Sequence, residues 1–218
     1  LYDVLGNRVR SAQCLGTMAI FPAWAGDTDT ARRLLTEALD ALDGQDVPKV
    51  TAALHQYLSL AAWYDDDETT ARQHLSIAMD DAVRAHSKKV LAGVLAHRGM
   101  VEGRWGDRST ASVALLQALD LVQGRRDLDI AIVARGAMPV LAAEKEWSLL
   151  IRLSEHIRRV ESRHGWDKHI LLAVVLAREA EAALAGNTVT VDRTPVTTAV
   201  ITQELRGTLL AIEQAVRI

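Results

Sequence analysis

The residues most able to do chemistry are the acids of the run Asp65-Asp66-Asp67-Glu68. Clustered carboxylates can hold Mg or Ca and, through the metal, a diphosphate. That use needs two acids separated by two residues, further acids on another helix, and rings lining a cation-stabilising cavity. Here Asp67, Glu68 and Thr69 follow Asp65-Asp66 directly, and aromatic residues make up only 4% of the chain, so the run reads as a solvated helix cap with surplus charge. Cys14 stands beside Leu15 and near Met18 on an apolar segment. A thiol there packs as a small hydrophobe, and a nucleophile would need a histidine partner that the sequence does not place. His164 and His169 lie five residues apart across Gly165-Trp166, off a common helical face. The patterns HExxH, GxSxG and GxxxxGK[ST] are absent. The sequence therefore predicts no catalytic residue, no metal site and no cofactor, in a protein that is not an enzyme.

With 218 residues, 49% of them apolar and 24% charged, the chain is long enough to bury roughly 70% of its unfolded surface without staples. A single cysteine excludes an internal disulfide framework and suits a reducing cytoplasm. The formal charge of -3 argues against direct nucleic-acid contact by this region. Neither a membrane span nor a signal peptide is expected, because no apolar run of about 18 residues occurs and no basic segment leads into a short apolar stretch at the N-terminus. Charge is uneven: residues 1 to 82 carry 13 acidic and 6 basic side chains, and the remainder 15 acidic and 19 basic. The first residue is Leu1, so residues 1–218 are expected to be a single domain taken from a longer protein.

The elements that would position any site come from a forty-residue repeat. Segments beginning Gly26-Asp27-Thr28-Asp29-Thr30-Ala31, Asp66-Asp67-Glu68-Thr69-Thr70-Ala71 and Gly106-Asp107-Arg108-Ser109-Thr110-Ala111 align without a gap. Leu35, Leu75 and Leu115 follow four residues after the alanines, and Ala38, Ala78 and Ala118 seven after. Spacings of four and seven mark one face of a helix. Asp27, Asp67 and Asp107 sit where an N-cap carboxylate accepts from the free amides of the first turn, and Gly26 and Gly106 suit the end of the preceding helix. The first helices of the pairs are predicted over Asp3–Trp24, Pro48–Tyr64 and Lys88–Trp105, with Ala19, Ser59 and Gly99 as a small-residue column that admits the second helix. A fourth pair is predicted over Asp127–Glu144 and Trp147–Arg163. A fifth joins Trp166–Ala185 to Thr197–Val216 after a longer loop, Thr188 to Pro195. Trp24, Trp63, Trp105 and Trp147 recur near the turns, either as packing wedges or as an exposed aromatic ridge for a partner. The expected fold class is all-α, about five antiparallel hairpins stacked as a right-handed superhelical solenoid.

These columns resemble the tetratricopeptide repeat, best at Gly99, Gly106-Asp107, Ala111, Leu115 and Ala118, although that family's usual period is about 34 residues. The longer period, with GDTDTARRLLTEALDAL and GDRSTASVALLQALDLVQG, is similar to the C-terminal repeat regions of LuxR-type and SARP-type bacterial transcription regulators. The resemblance implies a sensor or interaction module whose concave face is lined by the first helices. Carried onto this chain, that groove takes Gln56, Tyr57, Trp63 and Tyr64, then His97, Met100, Arg104 and Arg135. Its rings and thioether would supply apolar contact, and its arginines would pair with an acidic peptide or a small anionic effector.

The expected function is noncatalytic binding of a protein, peptide or anionic effector within a bacterial transcriptional regulator. The rivals are a free-standing adaptor and a small all-helical enzyme whose acids converge only in space. An uncapped apolar end of such an array would also allow a homodimer.

Overall fold

The computed structural model describes residues 7–163, 171–185, 191 and 195–215, without the side chains of Trp24 and residues 171–173. Most of the loop from Thr188 to Pro195, Trp166, His164 and His169 lie outside the described residues, as does the Trp24 side chain. Among the described residues there are ten helices and no strand. They are α1 Arg8–Ala25, α2 Thr28–Ala41, α3 Pro48–Tyr64, α4 Glu68–Arg84, α5 Lys88–Trp105, α6 Arg108–Val122, α7 Asp127–Ala143, α8 Trp147–Ser162, α9 Leu171–Leu184 and α10 Thr198–Ala215. No helix among the described residues is long and apolar enough to cross a membrane.

The starts of α2, α4 and α6 follow from side-chain capping. Asp27 accepts from the Thr30 amide at 3.2 Å, Asp67 from the Thr70 amide at 3.0 Å, and Asp107 from the Ser109 and Thr110 amides at 3.3 and 2.7 Å. Bonds from Thr70 and Thr110 hold the Asp67 and Asp107 carboxyls below the usual carboxylate value. The turns before α2, α4 and α8 also close the preceding helix, whereas at the third repeat Gly106, without a positive φ, donates its amide to Glu102 O instead. Asp27 N donates to Pro22 O, Asp67 N to Ala62 O and Glu146 N to Leu141 O, a six-residue bond around one left-handed residue. That residue is Gly26 in the first turn (φ 78°), but Asp66 (φ 61°) and Lys145 (φ 60°) take the same conformation without glycine's freedom.

The contacts fall into two compact units, residues 1–94 and 95–218, with the boundary inside α5. In the first unit α1 packs on α2, α2 on α3, α3 on α4, and α1 also on α3. Ala12, Ala19, Leu35, Ala38, Leu54 and Leu58 share its core. Side-chain contacts show that α3 and α4 run in opposite directions: Ser59 Oγ donates to Ala71 O at 2.7 Å, His55 Nδ1 meets His74 Nδ1 at 3.1 Å, and Thr51 Oγ1 donates to Asp81. Cys14 is exposed rather than packed. Its neighbours on the same helix, Ala12 and Ala19, supply the buried face, and the thiol lies on the opposite one.

In the second unit α7 packs on α8 and α8 on α9. The expected fifth hairpin does not form among the described residues: α10 lies against α6, α7 and α8 instead of pairing with α9. Its stripe Ile201, Leu205, Leu209 and Ile212 is buried there. Arg206 pairs with Asp120 at 2.7 Å and Glu204 with Arg152 at 3.0 Å, fixing where the helix sits.

The small-residue column is a packing requirement. Ala19 and Ser59 are fully buried, and a Cβ on Gly99 would lie 2.4 Å from Leu115. First helices of successive pairs also approach closely. A Cβ on Gly16 would lie 2.5 Å from Leu54, Gln56 Nε2 donates to Gly93 O at 3.2 Å, and a Cβ on Gly136 would lie 2.3 Å from the Ala96 carbonyl oxygen. Main chain cannot yield as a side-chain tip can. Gly136→Ala should therefore destabilise by about 1–3 kcal/mol despite alanine's better helix propensity. Gly207, with open space around it on α10, should gain roughly 0.5–1 kcal/mol on the same change. Urea unfolding of the two variants checks both signs.

The α3–α4 seam carries a pH dependence. Burial lowers His55 and His74 below the ordinary value of 6.5; His74 lowers His55 further while Asp81 raises it, and Arg32 lowers His74. Above 6.5 both folded and unfolded chains hold neutral imidazoles, so nothing is contributed. Below it the unfolded chain takes up protons that the folded one resists, so stability falls until the folded values are passed. The urea midpoint should drop between about pH 7 and 5, and less steeply in His74→Gln.

Candidate functional site

The structure divides the expected groove residues between the two units and places most of them in packing. In the first unit Trp63 is buried, edge-on to the Tyr64 ring at 5.2 Å between centroids. Tyr64 is half-buried, Tyr57 packs against the core, and the Gln56 amide is held by Gly93. In the second unit His97 and Met100 are buried at 6% and 4% exposure. Arg104 is exposed, with its guanidinium 4.8 Å from the Trp105 ring centroid. Arg135 is not a solvent-facing cation: it is 9% exposed and ion-paired with Glu161, which is fully buried. The pair joins α7 to α8, where it takes two charges out of water together.

Removing one member of such a pair strands the other. Arg135→Met should cost about 3–5 kcal/mol, whereas Arg135→Met combined with Glu161→Leu should recover most of that loss. Thermal unfolding of the single and double variants measures the difference.

The acids of the run 65–68 are engaged locally. Asp65 accepts from Thr28 Oγ1 at 2.7 Å and pairs with Arg32, Asp67 caps α4, and Glu68 pairs with Arg72 at 2.8 Å. Among the described residues no group of three or more His, Cys, Asp or Glu is placed to hold a metal ion.

A basic cleft appears where sequence reasoning placed none. It lies in the second unit, has a volume of about 510 Å3, and is lined by Asp127, His156, Arg159, Arg163 and residues 195–199 at the start of α10. His156, Arg159 and Arg163 recur at intervals of three and four, so helical periodicity puts them on one face of α8 and its C-cap. Basic side chains suit this end of the helix, where the dipole is negative. His156 is only 4% exposed, with Nε2 3.3 Å from Thr198 Oγ1. Burial pushes its pKa below 6.5 and Arg159 adds to the effect, while Asp127 and a hydrogen bond that the ring donates to the Val196 main chain oppose it. Thr197 turns the chain into α10, accepting from the Val200 amide at 3.4 Å. No ion pair engages Arg159 or Arg163 among the described residues. A second cleft of about 470 Å3 shares Asp127, Thr198 and Ala199 and is more apolar, with Leu119, Val122 and Ile130 in its wall. The arrangement offers two guanidiniums, a buried imidazole and the amide end of α10 to an anion.

The sequence signal for this cleft was the run His156-Ile157-Arg158-Arg159 with Arg163 one turn on. Its partner surface, the start of α10, lies about forty residues away and is brought close only by the packing of α10 on α8. Comparison of the chain with protein-family models, with curated proteins and with solved structures gives no match.

Proposed function

We propose that the chain is a noncatalytic helical-repeat module that binds an anionic ligand, an acidic peptide or a small effector, in the cleft between α8 and the start of α10. The observation that carries this reading is the convergence of Arg159, Arg163 and buried His156 on the opening turn of α10. Guanidiniums bind carboxylate and phosphate oxygens in pairs, and main-chain amides at a helix start add partial positive charge.

The recurrent columns of Asp, Ala and Leu, with close approaches at offsets near forty residues, support a tetratricopeptide-like stack of hairpins as the scaffold. The similarity of the same columns to the repeat regions of bacterial transcription regulators supports a sensor role. On that reading a ligand pulls the start of α10 toward α8, and the shift passes to an attached output domain. A free-standing adaptor would use the cleft in the same way without an output domain.

The test is calorimetric titration with inorganic phosphate and with citrate, at low salt. The pair Arg159→Glu and Arg163→Glu should weaken binding at least tenfold while leaving the melting temperature within a few degrees. Arg104→Glu should leave binding unchanged. Because an anion favours the protonated imidazole, affinity should rise as pH falls below the ordinary histidine value of about 6.5. Equal affinity in the reversed-charge variant rejects this cleft as the site.

A further inference from the structure

Along α1 an uncharged face carries exposed side chains. Residues 11–25 contain no charged side chain. Cys14 is exposed, Met18 is 56% exposed and Phe21 49%. Their spacings of four and three put them in one stripe.

The repeat supplies a calibration for that stripe. Forty residues on, the same column reads Leu54, Leu58 and Ala61 on α3, with exposures of 2%, 7% and 0%. Leu54 closes on α1 at Gly16, and Leu54 and Leu58 share a core with Ala12, Ala19, Leu35 and Ala38 of the α1–α2 pair. What covers this column on α3 is therefore the pair of helices that precedes it. On α1 the column keeps its apolar character and its register, and among the described residues Cys14 and Met18 have no equivalent cover. Single exposed apolar residues are ordinary; a stripe whose counterpart forms a helix-pair interface is not.

We propose that the α1 face docks a further helix pair of the same forty-residue kind, presenting alanine and leucine columns equivalent to Ala12, Ala19, Leu35 and Ala38. The fit is chemical as well as geometric: an uncharged stripe meets an Ala- and Leu-rich face, so neither side buries a charge. A second copy of this chain, pairing α1 with α1, is the competing occupant.

Cys14 reports on the contact, since its counterpart Leu54 is buried by the corresponding one. A copy of residues 7–46 fused directly ahead of Asn7 keeps the forty-residue register, and Cys14→Ser within the added copy leaves one thiol to follow. In the chain without the fusion, the thiol should react with an aromatic disulfide reagent at the rate of an exposed cysteine, independent of protein concentration. In the fusion the reaction should slow at least tenfold, with a gain of helical circular dichroism from the added segment. Met18→Glu with Phe21→Glu in the receiving helix should restore the fast rate. An equally reactive thiol in the fusion, or an added segment that stays unfolded, overturns the proposal. So does a thiol protected only at high protein concentration in the chain without the fusion, with a dimer on sedimentation, which assigns the face to a second copy.

Discussion

Close approach of helix backbones is the constraint on which the rest of this structure depends. The second helix of a pair comes near enough to the first that Ser59 bonds to the Ala71 carbonyl and Gly99 leaves no room for a Cβ beside Leu115. First helices of neighbouring pairs meet as tightly, at Gly16 with Leu54 and at Gly136 with the Ala96 carbonyl. A helix whose apolar face is built mostly of alanine buries little area by itself, so stability has to come from short interaxial distances and many dispersion contacts. Small residues are the means, and the turns that fold one helix back on the next are the condition.

Those turns carry a tension of their own. Among the described residues, left-handed residues stand in six of them: Gly26, Gly44 and Gly124 are glycines, but Asp66, His86 and Lys145 are not. Asp66 and Lys145 hold this conformation at a steric cost of about 1 kcal/mol, which the six-residue closing bond must offset, helped at Asp66 by the Asp67 cap. The acidic run is explained by this duty: Asp65 bonds back to Thr28 and Arg32 of the preceding pair, Asp66 turns the chain, and Asp67 starts the next helix. An apparent metal-binding cluster is thus spent on joining consecutive elements.

Charge in the second unit is distributed by the same logic with a different outcome. Arg135 reaches across from α7 to α8 and is consumed by Glu161, while Arg159 and Arg163 emerge at the end of α8 beside the opening of α10. The buried pair and the basic cleft therefore divide the arginines of neighbouring helices into a structural set and an accessible set. Arg135 lies within α7 where Glu161 of α8 meets it, whereas Arg159 and Arg163 lie at the end of α8 in the wall of the cleft.

Local pattern determined much of this protein. The capping aspartates, the forty-residue register and the bounds of α3 and α5 follow from spacings within a few turns of chain, because caps and amphipathic faces are satisfied by neighbours in sequence. Three matters were decided only by tertiary packing: that Cys14 faces water, that Arg135 is neutralised by Glu161, and that α10 leaves α9 to lie on α6 and α8. Each depends on a surface supplied or withheld by a distant segment, and a periodic stripe reveals that a helix face is apolar without revealing which other face comes to meet it.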